Sequence, residues 1–169
     1  NNMWIGTWGG GVSKLDLTAL EKYDTIAIQN FIQSKNGLAF NNVWSICEDK
    51  AGKIWLGTSA QGVSVYDGKD FKNYHIKDGL HGVRIQTILC DKKGNIWMAN
   101  ENGLDKFDGK TFTYYGEKEG MSAEGVNAIY EDNVGNLWFG SPDRIIKYDG
   151  KIFTTLLRRT SKSPVSDCC

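Results

Sequence analysis

Apolar residues in this chain come in short runs that alternate with polar ones. Val63-Ser64-Val65-Tyr66 and Phe71-Lys72-Asn73-Tyr74 alternate strictly, the period of a half-buried β-strand. Val43-Trp44-Ser45-Ile46-Cys47 is apolar-rich, and Lys53-Ile54-Trp55-Leu56-Gly57-Thr58 is β-branched and aromatic, as strands are. Turn signals separate the runs. Glu48-Asp49-Lys50-Ala51-Gly52 follows the first, Ser59-Ala60-Gln61-Gly62 follows the second, and Asp67-Gly68-Lys69 divides the last two. The Asp-Gly pair supplies the positive φ that a tight hairpin needs. Residues 37–74 therefore predict four antiparallel strands, A to D, joined by short hairpins.

The same pattern recurs. Gly79-Leu80, Ile85-x-x-Ile88, Asp91, Gly94-Asn95-Ile96-Trp97-Met98-Ala99, Gly103-Leu104, Phe107-Asp108-Gly109 and Phe112 form a second copy. Gly120-Met121, Val126-x-x-Ile129, Glu131-Asp132, Gly135-Asn136-Leu137-Trp138-Phe139-Gly140, Ile145, Tyr148-Asp149-Gly150 and Phe153 form a third. Trp55 precedes Trp97 by 42 residues, and Trp97 precedes Trp138 by 41. A four-stranded sheet cannot bury both faces alone, and stacking copies around an axis solves that problem. A period of about 40 residues with short strands predicts an all-β, β-propeller-type array of four-stranded antiparallel blades.

The expected blades are 37–74, 79–115 and 120–157, within a propeller region 1–157. A partial blade spans 3–33, entered at strand B through Trp4-Ile5-Gly6-Thr7. That partial blade carries an insertion over Leu17–Asn30, with one helical turn expected at Thr18–Lys22. Residues 158–169 are expected to form a tail or the start of a next inner strand near Val165–Cys169. The chain starts at Asn1 inside a repeat, so it is expected to be a piece of a larger propeller.

The recurring residues have structural explanations. Trp4, Trp55, Trp97 and Trp138 share one blade position and are expected between blades; a row of sugar-stacking platforms is the functional alternative. Asp49, Asp91 and Asp132 precede a Gly at the A–B turn and are expected to cap it. Their oxygen ligands are too few for a calcium loop. Cys47 and Cys90 occupy different repeat positions, on opposite sides of their strands, so no disulfide is expected between them.

Composition narrows the partners. Twenty Lys+Arg balance twenty Asp+Glu, which leaves no global field to attract nucleic acid. No run of eighteen apolar residues exists to span a membrane as a helix. The only histidines are His75 and His81. They form no metal-ligand cluster and no nucleophile–His–acid arrangement, and Gly9-Gly10-Gly11 is a B–C turn rather than a phosphate loop. The chain is read as non-catalytic and without a cofactor.

Binding belongs where variable side chains gather on a constant scaffold. In a propeller, the D–A loops, the B–C loops and the start of strand A converge at one end of the channel. Trp44, Gln86 and Asn127 occupy one repeat position there, facing away from Val43, Ile85 and Val126. With Asn42, Arg84 and Glu124 they are the candidate ligand-binding residues. Asn100, Glu101, Trp8 and Arg144 are expected on the same rim. A stacking face, amides and a cation suit a hydroxylated or acidic molecule, such as an oligosaccharide fragment.

The sequence resembles the two-component regulator propeller repeat. Gly-Leu, Asn42-Val43-x-x-Ile46-x-Glu48-Asp49, Gly52-x-Ile54-Trp55-Leu56-Gly57-Thr58 and Gly62-Val63-x-x-Tyr66-Asp67 carry the likeness, repeated at 85–108 and 126–149. Ala99 replaces the usual Gly of the Trp-x-Gly element, and Ser141-Pro142-Asp143 replaces the usual B–C loop. The resemblance implies a ligand-sensing module of a bacterial hybrid histidine kinase, periplasmic, with a small molecule or oligosaccharide as ligand. Neighbouring blades or domains of the parent protein are the other implied partners. A structural or protein-interaction propeller without a small ligand stands as the alternative, and a propeller lyase or hydrolase fragment stands behind both.

Overall fold

Fifteen strands, none longer than six residues, build four antiparallel sheets in the computed structural model, which describes residues 2–18 and 28–158. The first sheet has three strands, β1 (Asn2–Gly6), β2 (Val12–Asp16) and β3 (Ile28–Phe31). The second holds β4 (Val43–Glu48), β5 (Ile54–Thr58), β6 (Val63–Tyr66) and β7 (Phe71–Tyr74). The third holds β8 (Ile85–Cys90), β9 (Ile96–Asn100), β10 (Gly103–Phe107) and β11 (Phe112–Tyr115). The fourth holds β12 (Ala128–Glu131), β13 (Leu137–Gly140), β14 (Arg144–Tyr148) and β15 (Phe153–Arg158). Each sheet pairs its strands in chain order, so every connection is a hairpin and no strand crosses over. The helical turn expected at 18–22 lies largely outside the described residues, and the inner strand expected at 165–169 lies wholly outside them.

Sheets stack through apolar seams. Trp4, Val12 and Phe31 of the first sheet meet Val43, Ile54, Leu56 and Tyr66 of the second. Trp55, Val63 and Val65 meet Ile85, Ile88, Ile96, Met98 and Phe107 of the third. Trp97, Ala99 and Leu104 meet Val126, Leu137, Phe139 and Ile146 of the fourth. The alternation of each strand explains this sharing, because one side chain faces the preceding blade and the next faces the following one. Trp97 is 1% exposed, whereas Trp138, with no further blade beside it among the described residues, is only half-buried.

Close approach between blades demands small residues. A Cβ on Gly57 would stand 2.8 Å from a methyl carbon of Ile85 and 3.1 Å from the Ile85 carbonyl oxygen. At the same repeat position Gly6 approaches Val43 as closely, with a Cβ 2.9 Å from its carbonyl oxygen, and Ala99 lies buried in the seam that holds Val126.

Among the described residues, the outermost faces are bare. Met3, Ile5 and Ile28 are exposed on the first sheet, at the repeat positions of buried Ile54 and Leu56 and of Phe71, which packs against a seam. Tyr130 and Ile145 are exposed on the fourth, at the positions of Cys47 and Val63, which the next blade covers. The described residues thus form an open arc of blades.

Candidate ligand-binding face

The D–A connections are built alike in two blades. A single 3-10 turn at Ile76–Asp78 ends on Gly79 at φ 105°, and one at Glu117–Glu119 ends on Gly120 at φ 93°. This left-handed geometry is open to glycine at no steric cost. The Asp78 carboxylate accepts the His75 N–H at 2.9 Å, and the Glu119 carboxylate accepts the Gly116 N–H at 2.8 Å. Backbone bonds then tie these loops to their neighbours. Gly62 N–H donates to the Val83 carbonyl at 3.0 Å, and Val126 N–H donates to the Asn100 carbonyl at 3.1 Å.

Trp44 and Gln86 sit at β-bulges. Val43 pairs with Thr58 and Ser45 with Gly57, which leaves Trp44 outside the ladder. Ile85 pairs with Asn100 and Thr87 with Ala99, which leaves Gln86 outside it in the same way. A bulge bends the strand and re-aims the extra side chain. Trp44 stacks on Trp8, with ring centroids 6.0 Å apart and planes 26° apart, and Trp8 is 77% exposed. Asn127 precedes β12; its N–H donates to the Gly140 carbonyl at 2.9 Å, and its side chain is exposed.

The remaining candidates are anchored through their backbones. The Asn42 carbonyl accepts the Ser59 N–H at 3.0 Å. The Arg84 N–H donates to Glu101 at 3.0 Å, and the Glu124 N–H donates to the Ser122 hydroxyl at 3.1 Å. The side chains of Arg84 and Glu124 are exposed, and those of Asn42 and Gln86 are half-buried. The structure groups Trp8, Asn42 and Trp44 at the seam of the first two blades, places Arg84 and Gln86 together on the third, and places Glu124 and Asn127 on the fourth.

Three residues expected on the rim serve the scaffold instead. Glu101 spends its carboxylate on the Val83 and Arg84 N–H groups, at 3.1 and 3.0 Å. Asn100 is fully buried and donates to Asp105 at 2.9 Å. Arg144 is locked on Asp143 at 2.6 Å and on the carbonyls of Gly120 and Met121. The Arg144 guanidinium, with help from the Ser122 hydroxyl, holds the Asp143 carboxyl down to about 2.

Sequence reasoning missed one constellation. The His81 imidazole Nδ1 lies 2.8 Å from the Asp105 carboxylate, which also accepts the His81 backbone N–H at 3.0 Å. Burial pushes the Asp105 carboxyl above its ordinary range despite these bonds. The imidazole stacks on Tyr114, with centroids 4.5 Å apart. Both rings border an open cavity of about 670 Å³ that also meets Asn102 and Glu117. The signal lay in the repeat: Ala39 and Ser64, or Ser122 and Ile146, stand at these positions in the other blades.

At the opposite end, the A–B turns are capped as expected and also clamp the tryptophans. Asp49 accepts the Ala51 and Lys53 N–H groups at 2.9 Å each and the Trp55 indole at 2.8 Å. Among the described residues, no three His, Cys, Asp or Glu side chains converge as metal ligands. The described rim presents the Trp8 and Trp44 rings, amides and charged side chains.

Comparison with known proteins agrees with this architecture. Residues 37–60, 79–102 and 120–143 match the family described as two component regulator propeller. The extracellular domain of a hybrid two component system from B. thetaiotaomicron is 29% identical, with a TM-score of 0.79 over 92% of this chain. A second extracellular domain of such a system from the same bacterium is 24% identical, with a TM-score of 0.76 over 96% of this chain, and shows the shared fold. The chain spans 21% and 23% of those two chains. No curated protein matches it in sequence.

Proposed function

From a chain that carries two component regulator propeller repeats in three of its four blades, we propose a ligand-sensing, non-catalytic module of a bacterial two-component receptor. It works outside the cytoplasm, in the periplasm, and passes ligand occupancy to an output domain elsewhere in the parent protein. The likeness to extracellular domains of two-component systems supports this reading.

The observation that carries ligand binding is the stacked Trp8–Trp44 pair, half of it open to solvent, beside the half-buried Asn42. An aromatic face offers apolar area to the C–H face of a sugar, while the Asn42, Gln86 and Asn127 amides orient hydroxyls. Arg84 adds a cation for a carboxylate or sulfate. The ligand is therefore a hydroxylated or acidic molecule of oligosaccharide type.

The bare faces around Met3 and Ile28, and around Tyr130 and Ile145, favour neighbouring blades of a larger array as the structural partners. Their side chains repeat those that are buried at the internal seams. A purely structural role is the competing reading. In the full-length receptor, Trp44→Ala and Arg84→Ala should each weaken the transcriptional response to the inducing glycan. Asp67→Ala and Asp108→Ala, at turns on the opposite end, should leave it unchanged. A full response in both rim variants favours the structural role.

A further inference from the structure

We infer that Cys47 and Cys90 are disulfide partners across the seam between the second and third blades. The two thiols belong to neighbouring inner strands, β4 and β8. The Ser45 hydroxyl accepts the Ile88 N–H at 2.8 Å and so fixes the register between these strands. Two residues further along each strand stand Cys47 and Cys90. Alternation puts Cys47 on the side of Ser45, facing the third blade, and Cys90 on the side of Ile88, facing the second. Opposite sides of successive blades are the two sides that meet, so the placement that argued against a bond in the sequence brings the two side chains into one seam. Both side chains pack against the same cluster of Trp55, Ile88 and Ile96. Beyond them, the Lys50 ammonium reaches the Lys92 carbonyl and closes the seam again.

Both cysteines are free thiols in this structure. Burial raises both, and the Cys47 thiol is pushed up to about 12. Thiolate is therefore scarce at neutral pH, and oxidation is slow and accelerates with pH. With a disulfide oxidant such as oxidised glutathione, the Cys90 thiolate attacks one sulfur and expels one glutathione thiolate. The Cys47 thiolate then attacks the Cys90 sulfur and expels the second. Two electrons reduce the oxidant, and the two thiol protons pass to the departing glutathione. The link joins residues 43 apart in sequence and covalently holds two blades that otherwise meet by packing and hydrogen bonds.

Formation in the cell rests on the extracytoplasmic reading above; the pairing itself does not. The test is incubation of the Cys168→Ser/Cys169→Ser protein with glutathione buffer at mildly alkaline pH, followed by digestion and mass spectrometry. The expected product has lost two hydrogens, carries the Cys47 and Cys90 peptides joined, and unfolds at a higher denaturant concentration than the reduced protein. Cys90→Ser should abolish the link and leave Cys47 a thiol. Folded protein in which both cysteines stay free, or each takes only glutathione, overturns the pairing. A link formed in the test tube, with both thiols free in protein isolated from cells, supports the pairing and contradicts the extracytoplasmic reading instead.

Discussion

The indole N–H of Trp97 donates to the carboxylate of Asp91 at 2.9 Å, and the same bond joins Trp55 to Asp49 and Trp138 to Asp132. Asp91 also accepts the Lys93 and Asn95 N–H groups and the Asn95 side-chain amide. One carboxylate thus closes the A–B turn and fixes the largest side chain of the seam. A buried indole needs an acceptor. In three blades the repeat supplies it from the same hairpin that carries the indole.

Asp91→Ala should destabilise the protein by about 2 to 3 kcal/mol, because charge-assisted bonds to a buried indole and to turn amides are lost together. Denaturant unfolding measures this. Asp67→Ala, at an exposed outer hairpin, should cost much less.

Stability should fall in acid. Burial tends to raise the Asp91 carboxyl, but the bonds from Asn95, Trp97 and the turn amides outweigh it and the net shift is downward. The Trp138 indole, followed by Asn136, lowers Asp132, and Arg144 followed by Ser122 lowers Asp143 to about 2. A carboxylate lowered on folding stabilises the fold above its unfolded value, about 4, and that contribution is lost as pH falls through the folded value. Unfolding midpoints measured from pH 5 downward should drop steadily, and Asp132→Asn should flatten part of that slope.

The strand order, the hairpins and the position of the tryptophans were legible in the sequence because they repeat. Strands B, C and D of the second blade begin and end within a residue of the expected places. The bulges at Trp44 and Gln86 were not legible, since a bulge depends on how two strands meet rather than on one strand's pattern. The six-residue spacing of Asp and Trp was visible, but the indole bond was not. Asn100, Glu101 and Arg144 looked like rim residues by position; Asp105 and Asp143 close by in sequence, and the Val83 amide and the Gly120 and Met121 carbonyls far from it, draw them into the scaffold. His81 and Asp105 escaped because no local motif joins residues 24 apart. Only their departure from the repeat marked them.

Gly57→Ala should destabilise the seam, since the new methyl would overlap Ile85. Ile85→Ala, which removes the overlapped methyl, should therefore cost less in the Gly57→Ala background than in the wild type. A double-mutant cycle in urea should show the two changes coupled; strict additivity would mean that the contact carries no strain.

Ligand recognition by the rim around Trp44 and Arg84 is decided by equilibrium binding to the extracellular propeller of the proposed receptor. A panel of neutral and acidic oligosaccharides first identifies the ligand, and its affinity is then compared in wild type and in the Trp44→Ala/Arg84→Ala variant by calorimetry. Loss of the stacking face and the cation together should weaken binding at least tenfold, with circular dichroism and unfolding midpoint unchanged. Equal affinity in a folded double variant would rule out this rim as the ligand site.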